Sequence, residues 1–259
     1  MVPNLCHKRP ATSEPPAAQP WTTVSSLVWY AWILDTAAAL PTTAIVSHAY
    51  GRRRAGRYLA GLGAAALIRH VFLRWLAKRT TPEAVSMGDP LSLARLTCGN
   101  VIAGLVVSDV RDRLGPAGLL AWSLGLFGAT ALDWLDGPLA RRTGATRHGA
   151  VLDIEADSWL TLWSAVAAAS WGELPRWVIV PPLLRYLHPL LDLRDGMLPS
   201  GGGPLWSRVT GIGQGGLMLA ALAPFRRRPR RLVLTGLAGV ISGSQTTTLL
   251  LLLRQRAHR

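Results

Sequence analysis

Apolar residues in this chain come in long blocks closed by glycine, proline and arginine, not in the short alternations of a half-buried strand. Six blocks, roughly 91–109, 116–134, 149–170, 177–191, 208–225 and 232–253, approach the length a helix needs to cross a hydrocarbon core of about 30 Å. Breakers separate them at Gly115-Pro116, Asp136-Gly137-Pro138, Gly172-Glu173-Leu174-Pro175 and Pro199-Ser200-Gly201-Gly202-Gly203-Pro204. Upstream, residues 24–48 are long enough to span, although Asp35 and Pro41 interrupt them. Residues 1–20, rich in Pro, Ala and polar side chains, predict disorder. In 57–79, Arg57, Arg69, Arg74, Lys78 and Arg79 recur among Val71, Phe72, Leu73, Trp75 and Leu76. That mixture predicts an amphipathic helix on the cytosolic membrane surface, with one more tilted span as the alternative.

The pattern therefore predicts an all-α integral membrane protein. A disordered N-terminus (1–20) precedes an N-terminal extension (21–87) holding a possible span and the interfacial helix. A six-transmembrane-helix bundle (88–254) and a basic tail (255–259) follow. Composition agrees, since 49% hydrophobic against 16% charged residues suits a bilayer better than water. The net charge of +14 sits in arginine clusters without a groove-reading motif, which points to membrane interfaces and anionic headgroups and away from nucleic acid. Arg141, Arg142 and Arg147 place the 137–148 loop in the cytosol, together with the tail bearing Arg254, Arg256 and Arg259. Strict alternation puts Arg226, Arg227, Arg228, Arg230 and Arg231 on the outer side, against the same bias. Cys6 and Cys98 are too far apart for a metal pair or a disulfide framework, and the N-terminus lacks the basic segment and apolar core of a cleaved signal.

The chemistry gathers at the inner ends of two blocks. Asp133 and Asp136 are three residues apart, and Asp153 and Asp157 are four apart. On a helix each pair shares one face, within about 60° and about 6 Å along the axis. Carboxylates beside long apolar runs are costly unless a cation uses them. Two facing pairs supply enough hard oxygen donors for two divalent cations. The plainer reading is a cytosolic turn whose aspartates cap helices and whose arginines meet lipid heads, but it predicts no particular spacing. An EF-hand does not fit, because the alternating positions after Asp133 hold Leu135 and Gly137.

The run Asp133-x-x-Asp136-Gly137-x-x-Ala140-Arg141, followed by Gly149-x-x-x-Asp153-x-x-x-Asp157, resembles the signature of the CDP-alcohol phosphotransferase family. That resemblance implies a six-helix membrane enzyme over 88–254, commonly homodimeric. Its members move a phosphatidyl or phosphoalcohol group from a CDP-linked donor to a hydroxyl and release CMP. The resemblance implies Mg²⁺ or Mn²⁺, in a two-metal site, on Asp133, Asp136, Asp153 and Asp157. It makes Asp157 the general base. Asp133, Gly137, Ala140, Arg141 and Gly149 would meet the nucleotide: small residues admit a flat base or ribose, and the arginine fork suits a diphosphate.

Weaker signals surround this core. In Asp89-Pro90-Leu91-Ser92-Leu93-Ala94-Arg95, Ser92 and Arg95 resemble a family Thr and Arg; the plain alternative is a capped helix start with a snorkelling arginine. Arg185 and Arg208 resemble acceptor-binding arginines. Thr210 stands where glycerophosphate-using members carry a lysine, Glu155 where an apolar residue is usual, and Ser158 where a lysine is usual. His48, His70, His148 and His188 are scattered and read as structural, with nucleotide contact an alternative for His148. Gly211 and Gly215 form a G-x-x-x-G pattern suited to helix packing within the bundle.

The implied function is transfer of a phosphatidyl group from CDP-diacylglycerol to a polar alcohol or phosphoalcohol, glycerol 3-phosphate or inositol phosphate foremost. Transfer from a CDP-aminoalcohol to diacylglycerol is the alternative within the family. From other classes come an ion-coupled transporter, which requires acids strung across the membrane depth, and an inactive scaffold, against which all four aspartates speak.

Overall fold

The computed structural model describes residues 24–79, 85, 86, 88–111, 124, 125, 127–129, 131, 147–184, 186, 216, 217, 220 and 228–257. Among these every regular element is a helix: α1 (Val24–Tyr50), α2 (Arg52–Arg79), α3 (Asp89–Ser108), α4 (Arg147–Ser170), a 3₁₀ turn (Arg176–Ile179) and α5 (Arg228–Ala257). The expected disordered N-terminus 1–20 and most of the expected segments 116–134 and 208–225 lie outside the described residues.

A single residue turns α1 into α2. Gly51 has φ +90° and its N–H donates to the Ser47 carbonyl at 2.9 Å, a left-handed helix stop that a side chain would strain. The helices fold back as a hairpin. Trp32 Nε1 donates to His70 Nε2 at 3.2 Å, and Asp35 pairs with Arg69. Nearer the turn, Thr42 returns its one hydroxyl proton to the Ala38 carbonyl at 2.5 Å, so Tyr58 is the donor in the 2.6 Å contact between the two hydroxyls. Pro41, which has no N–H to give, sits beside this bond and is carried within α1.

α3 runs antiparallel to α2: Tyr58 lies on Gly104 near one end, and Arg69 Nη1 donates to Thr97 Oγ1 at 3.1 Å further along. α4 runs parallel to α3. Asp89 meets His148 at one end, Trp159 meets Asn100 midway, and Arg111 meets Glu173 and the Trp171 carbonyl at the other. Leu234 and Ala238 of α5 join a core with Ala165, Ala167, Ala168, Trp171, Leu174 and Val178, so α5 begins where α4 finishes.

Large apolar side chains face outward and several charged ones face inward. Trp29, Ile33, Leu40 and Ile45 of α1, Leu67, Ile68 and Val71 of α2, and Leu232, Val233 and Val240 of α5 face outward, while Asp35, Arg69, Asp89 and Arg95 are buried. By length and apolarity two described helices can cross a bilayer, α2 over Arg52–Lys78 and α3. α2, expected from sequence to lie flat on the membrane or to form one more tilted span, packs against both α1 and α3, with Arg69 2% exposed. Arg52, Arg53 and Arg57 are exposed at the end away from the α4 N-terminus, the same end at which α5 starts with its arginines.

A methyl added at Gly104 would stand 2.7 Å from the Tyr58 ring and 2.9 Å from the Tyr58 carbonyl, too close for either atom to yield cheaply. Gly104→Ala is expected to destabilise the fold by about 1–3 kcal/mol, read as a lower unfolding midpoint in detergent; an unchanged midpoint would contradict this packing.

Candidate active site

The second aspartate pair is carried by α4. Asp153 and Asp157 are one turn apart on one face, and their side chains are 46% and 43% exposed. Gly149 lies a further turn toward the N-terminus, half-buried. Opposite them α3 contributes Arg95, which is fully buried. Its Nη1 donates to Asp157 Oδ1 at 2.5 Å, its Nη2 donates to Asp153 Oδ1, and Ser92 Oγ stands 3.5 Å from Nη2. One planar guanidinium thus addresses two carboxylates with separate nitrogens, a fork geometry that an ammonium does not offer.

A second cross-link fixes the end at which this pair sits. Asp89, the first residue of α3, accepts from Ser86 N–H at 2.9 Å and Ser86 Oγ at 3.1 Å, and lies 3.0 Å from His148 Nε2 in the first turn of α4. The carboxylate also suits the positive end of the α3 dipole. Both helix starts are therefore held level, and the Asp153–Asp157 face is presented next to Arg95. His148 is wholly buried on Asp89, in keeping with its structural reading. Ser158 turns its hydroxyl back to the Ile154 carbonyl at 2.6 Å, and Glu155 is half-buried.

Of the residues expected from sequence, the structure brings together Asp153, Asp157 and Gly149, with Arg95 and Ser92 from α3. Asp133, Asp136, Gly137, Ala140, Arg141, Arg185 and Arg208 lie outside the described residues. Arg95 does not snorkel: it points inward and is the organising cation of the pair. Sequence reasoning missed the network formed by Asp35, Arg69, Thr97, Asn100 and Trp159, although the signal was present. An acid interrupting one apolar run and an arginine interrupting the next are natural partners once a tight turn at Gly51 makes the runs a hairpin.

The donor set suits a hard divalent cation: two carboxylates on one face, nearly half exposed, with oxygen as the only ligand atom. Among the described residues no three His, Cys, Asp or Glu side chains converge, so these two carboxylates form half of the expected set of four.

The CDP-alcohol phosphatidyltransferase family model matches residues 85–240, from just before α3 into α5, and leaves α1 and α2 outside. The chloroplastic CDP-diacylglycerol–glycerol-3-phosphate 3-phosphatidyltransferase 1 of Oryza sativa subsp. japonica is 31% identical over 205 residues, covering 70% of this chain and 53% of the relative. The chain thus spans about half the length of the curated relative it matches. No solved structure matches the chain.

The Arg95 link is testable without turnover. Arg95→Met is expected to cost about 1–3 kcal/mol, less than the roughly 3–5 kcal/mol of a fully buried pair because both carboxylates reach solvent. Combined with Asp153→Asn and Asp157→Asn it should cost clearly less than the summed single effects. Strict additivity of the unfolding midpoints would show that the three side chains do not interact.

Proposed function

Because the chain belongs to the CDP-alcohol phosphatidyltransferase family, whose members are membrane-embedded and generally divalent-metal dependent, we propose that it transfers a phosphatidyl group from CDP-diacylglycerol to a small polar alcohol. The observation that carries this reading is the Asp153–Asp157 face of α4 set against buried Arg95 at one end of the bundle. Glycerol 3-phosphate is the leading acceptor, since the rice relative is named for it, and inositol phosphate is the next. Thr210, in the place of a family lysine, is the departure that keeps the acceptor panel wide.

The hydroxyl oxygen of the acceptor forms a bond to the phosphorus that bears the diacylglycerol. The bond from that phosphorus to the bridging oxygen breaks, and its electron pair leaves with CMP. The hydroxyl proton passes to the Asp157 carboxylate. Asp133, Asp136, Asp153 and Asp157 would hold Mg²⁺ or Mn²⁺, which supplies neutralisation of the diphosphate and of the charge growing on the leaving oxygen. Arg95 keeps Asp153 and Asp157 at fixed rotamers, so the base is oriented before the substrate arrives. Arg141 meets the diphosphate, with Asp133, Gly137, Ala140 and Gly149 along the nucleotide, and Arg185 and Arg208 meet an anionic acceptor. The diacyl chains reach this end of the bundle from the bilayer, and the carboxylate end faces the cytosol. An ion-coupled path fits the acids less well, because the deep one, Asp35, is held by Arg69, Thr97 and Asn100.

Purified protein with Mg²⁺ or Mn²⁺ is expected to release CMP from CDP-diacylglycerol when glycerol 3-phosphate or another member of a panel of polyols, polyol phosphates and amino alcohols is added. Chelation should abolish the release and either metal restore it; a panel without any release removes the enzymatic reading. Asp157→Asn should lower kcat by about 10²-fold or more while CDP still binds, and wild-type turnover in that variant would deprive Asp157 of its role.

A further inference from the structure

A carboxylate in the middle of an apolar helix persists only where something makes it worth its desolvation. Asp35 of α1 is 3% exposed, and the groups around it come from two other helices. Arg69 Nη2 of α2 donates to Asp35 Oδ2. The same nitrogen donates to the Ala31 carbonyl at 3.2 Å, and Arg69 Nη1 to Thr97 Oγ1 at 3.1 Å. The other carboxylate oxygen accepts twice from α3, from Thr97 Oγ1 at 2.9 Å and from Asn100 Nδ2 at 3.0 Å. Asn100 then accepts the indole N–H of Trp159 on its own Oδ1 at 2.9 Å. Trp159 follows Asp157 by two residues on α4.

We propose that Asp35 is a positioning residue for the carboxylate site, acting through Asn100 and Trp159 on the helix that carries Asp153 and Asp157. The inference rests on the function proposed above, but its residue lies in the N-terminal helices that the family match leaves out. The physical step is the orientation of one amide. Asn100 is fully buried and has a donor side and an acceptor side. Asp35 accepts only, so it binds the NH₂ and turns the carbonyl oxygen to Trp159. Without that acceptor the amide is free to flip, and its NH₂ then confronts the indole N–H, donor against donor. Trp159 has little freedom to absorb the change, since it lies so close over Gly99 that a Cβ there would be 2.5 Å from its ring. A displaced indole presses on α4 two residues from the proposed base. Arg69 neutralises Asp35, so the relay carries no unpaired charge.

The experiment pairs a spectroscopic reading with kinetics on the full chain in detergent. Asp35→Leu combined with Arg69→Met replaces the ion pair by apolar groups of similar size, an exchange that buried pairs commonly tolerate. The Trp159 indole N–H resonance, identified by its loss in Trp159→Phe, is expected to move in this double variant. In Asp35→Asn with Arg69→Gln, which keeps an acceptor oxygen for Asn100, it should stay near its wild-type position. kcat for CMP release should fall about ten- to a hundredfold in the apolar pair with KM values within about twofold, and recover in the amide pair. Should the apolar pair fail to fold, Asn100→Leu and Trp159→Phe each break the last link and should show the same kcat loss. An unmoved indole resonance, or wild-type kcat in the apolar pair or in Trp159→Phe, overturns the proposal. The resonance is read without turnover, so a chain that releases no CMP defeats the functional reading while this relay is still decided.

Discussion

A charge taken out of water must find its opposite, and that requirement sets the register of this bundle. The buried carboxylates and guanidiniums of the described residues are matched across helices: Asp35 with Arg69, Arg95 with Asp153 and Asp157, Asp89 with His148. In lipid, apolar side chains gain little by meeting each other rather than acyl chains, so apolar contact alone lets helices slide. The polar cross-links do not. The first ties α1 to α2, the second and third tie α3 to α4, and Arg69 with Thr97 ties α2 to α3. Four helices are thereby held at fixed heights, and the face bearing Asp153 and Asp157 is one consequence of those heights.

The helices themselves were legible in sequence because their apolar blocks are long and their breakers strong. α3, α4 and α5 fall close to the blocks 91–109, 149–170 and 232–253. What each helix faces was less legible. Periodicity reports how many charges lie along a stretch, but not which partner waits on the next one. Arg69 therefore read as a polar mark on a surface helix, and Asp35 as a flaw in a span. The tight reversal at Gly51 makes each the answer to the other, and α2 packs into the helical bundle beside α1 and α3.

The site shows the same division. The i, i+4 spacing of Asp153 and Asp157 placed both on one face of a helix, and the structure has them there. Arg95 carried two readings, and the choice between them turns on a neighbour 58 residues away in sequence, which no local pattern contains. Asp133 and Asp136, the other half of the spaced signature, rest on sequence alone. The family match across 85–240 includes both halves of that signature.

The basic residues alone do not orient the bundle. Arg52, Arg53, Arg57 and the arginine-rich start of α5 share the end away from the site, while α4 begins with Arg147 at the site end. Lys and Arg counts normally orient a bundle because one end has an excess. Among the described residues both ends carry arginine, so that bias does not orient the bundle. Asp153 and Asp157 lie at the end where α3 and α4 begin and are nearly half open to solvent. That water-accessible pair of carboxylates suits a cation and, through the cation, an anionic diphosphate, both of which come from the aqueous phase. On the proposed function that end faces the compartment holding the nucleotide.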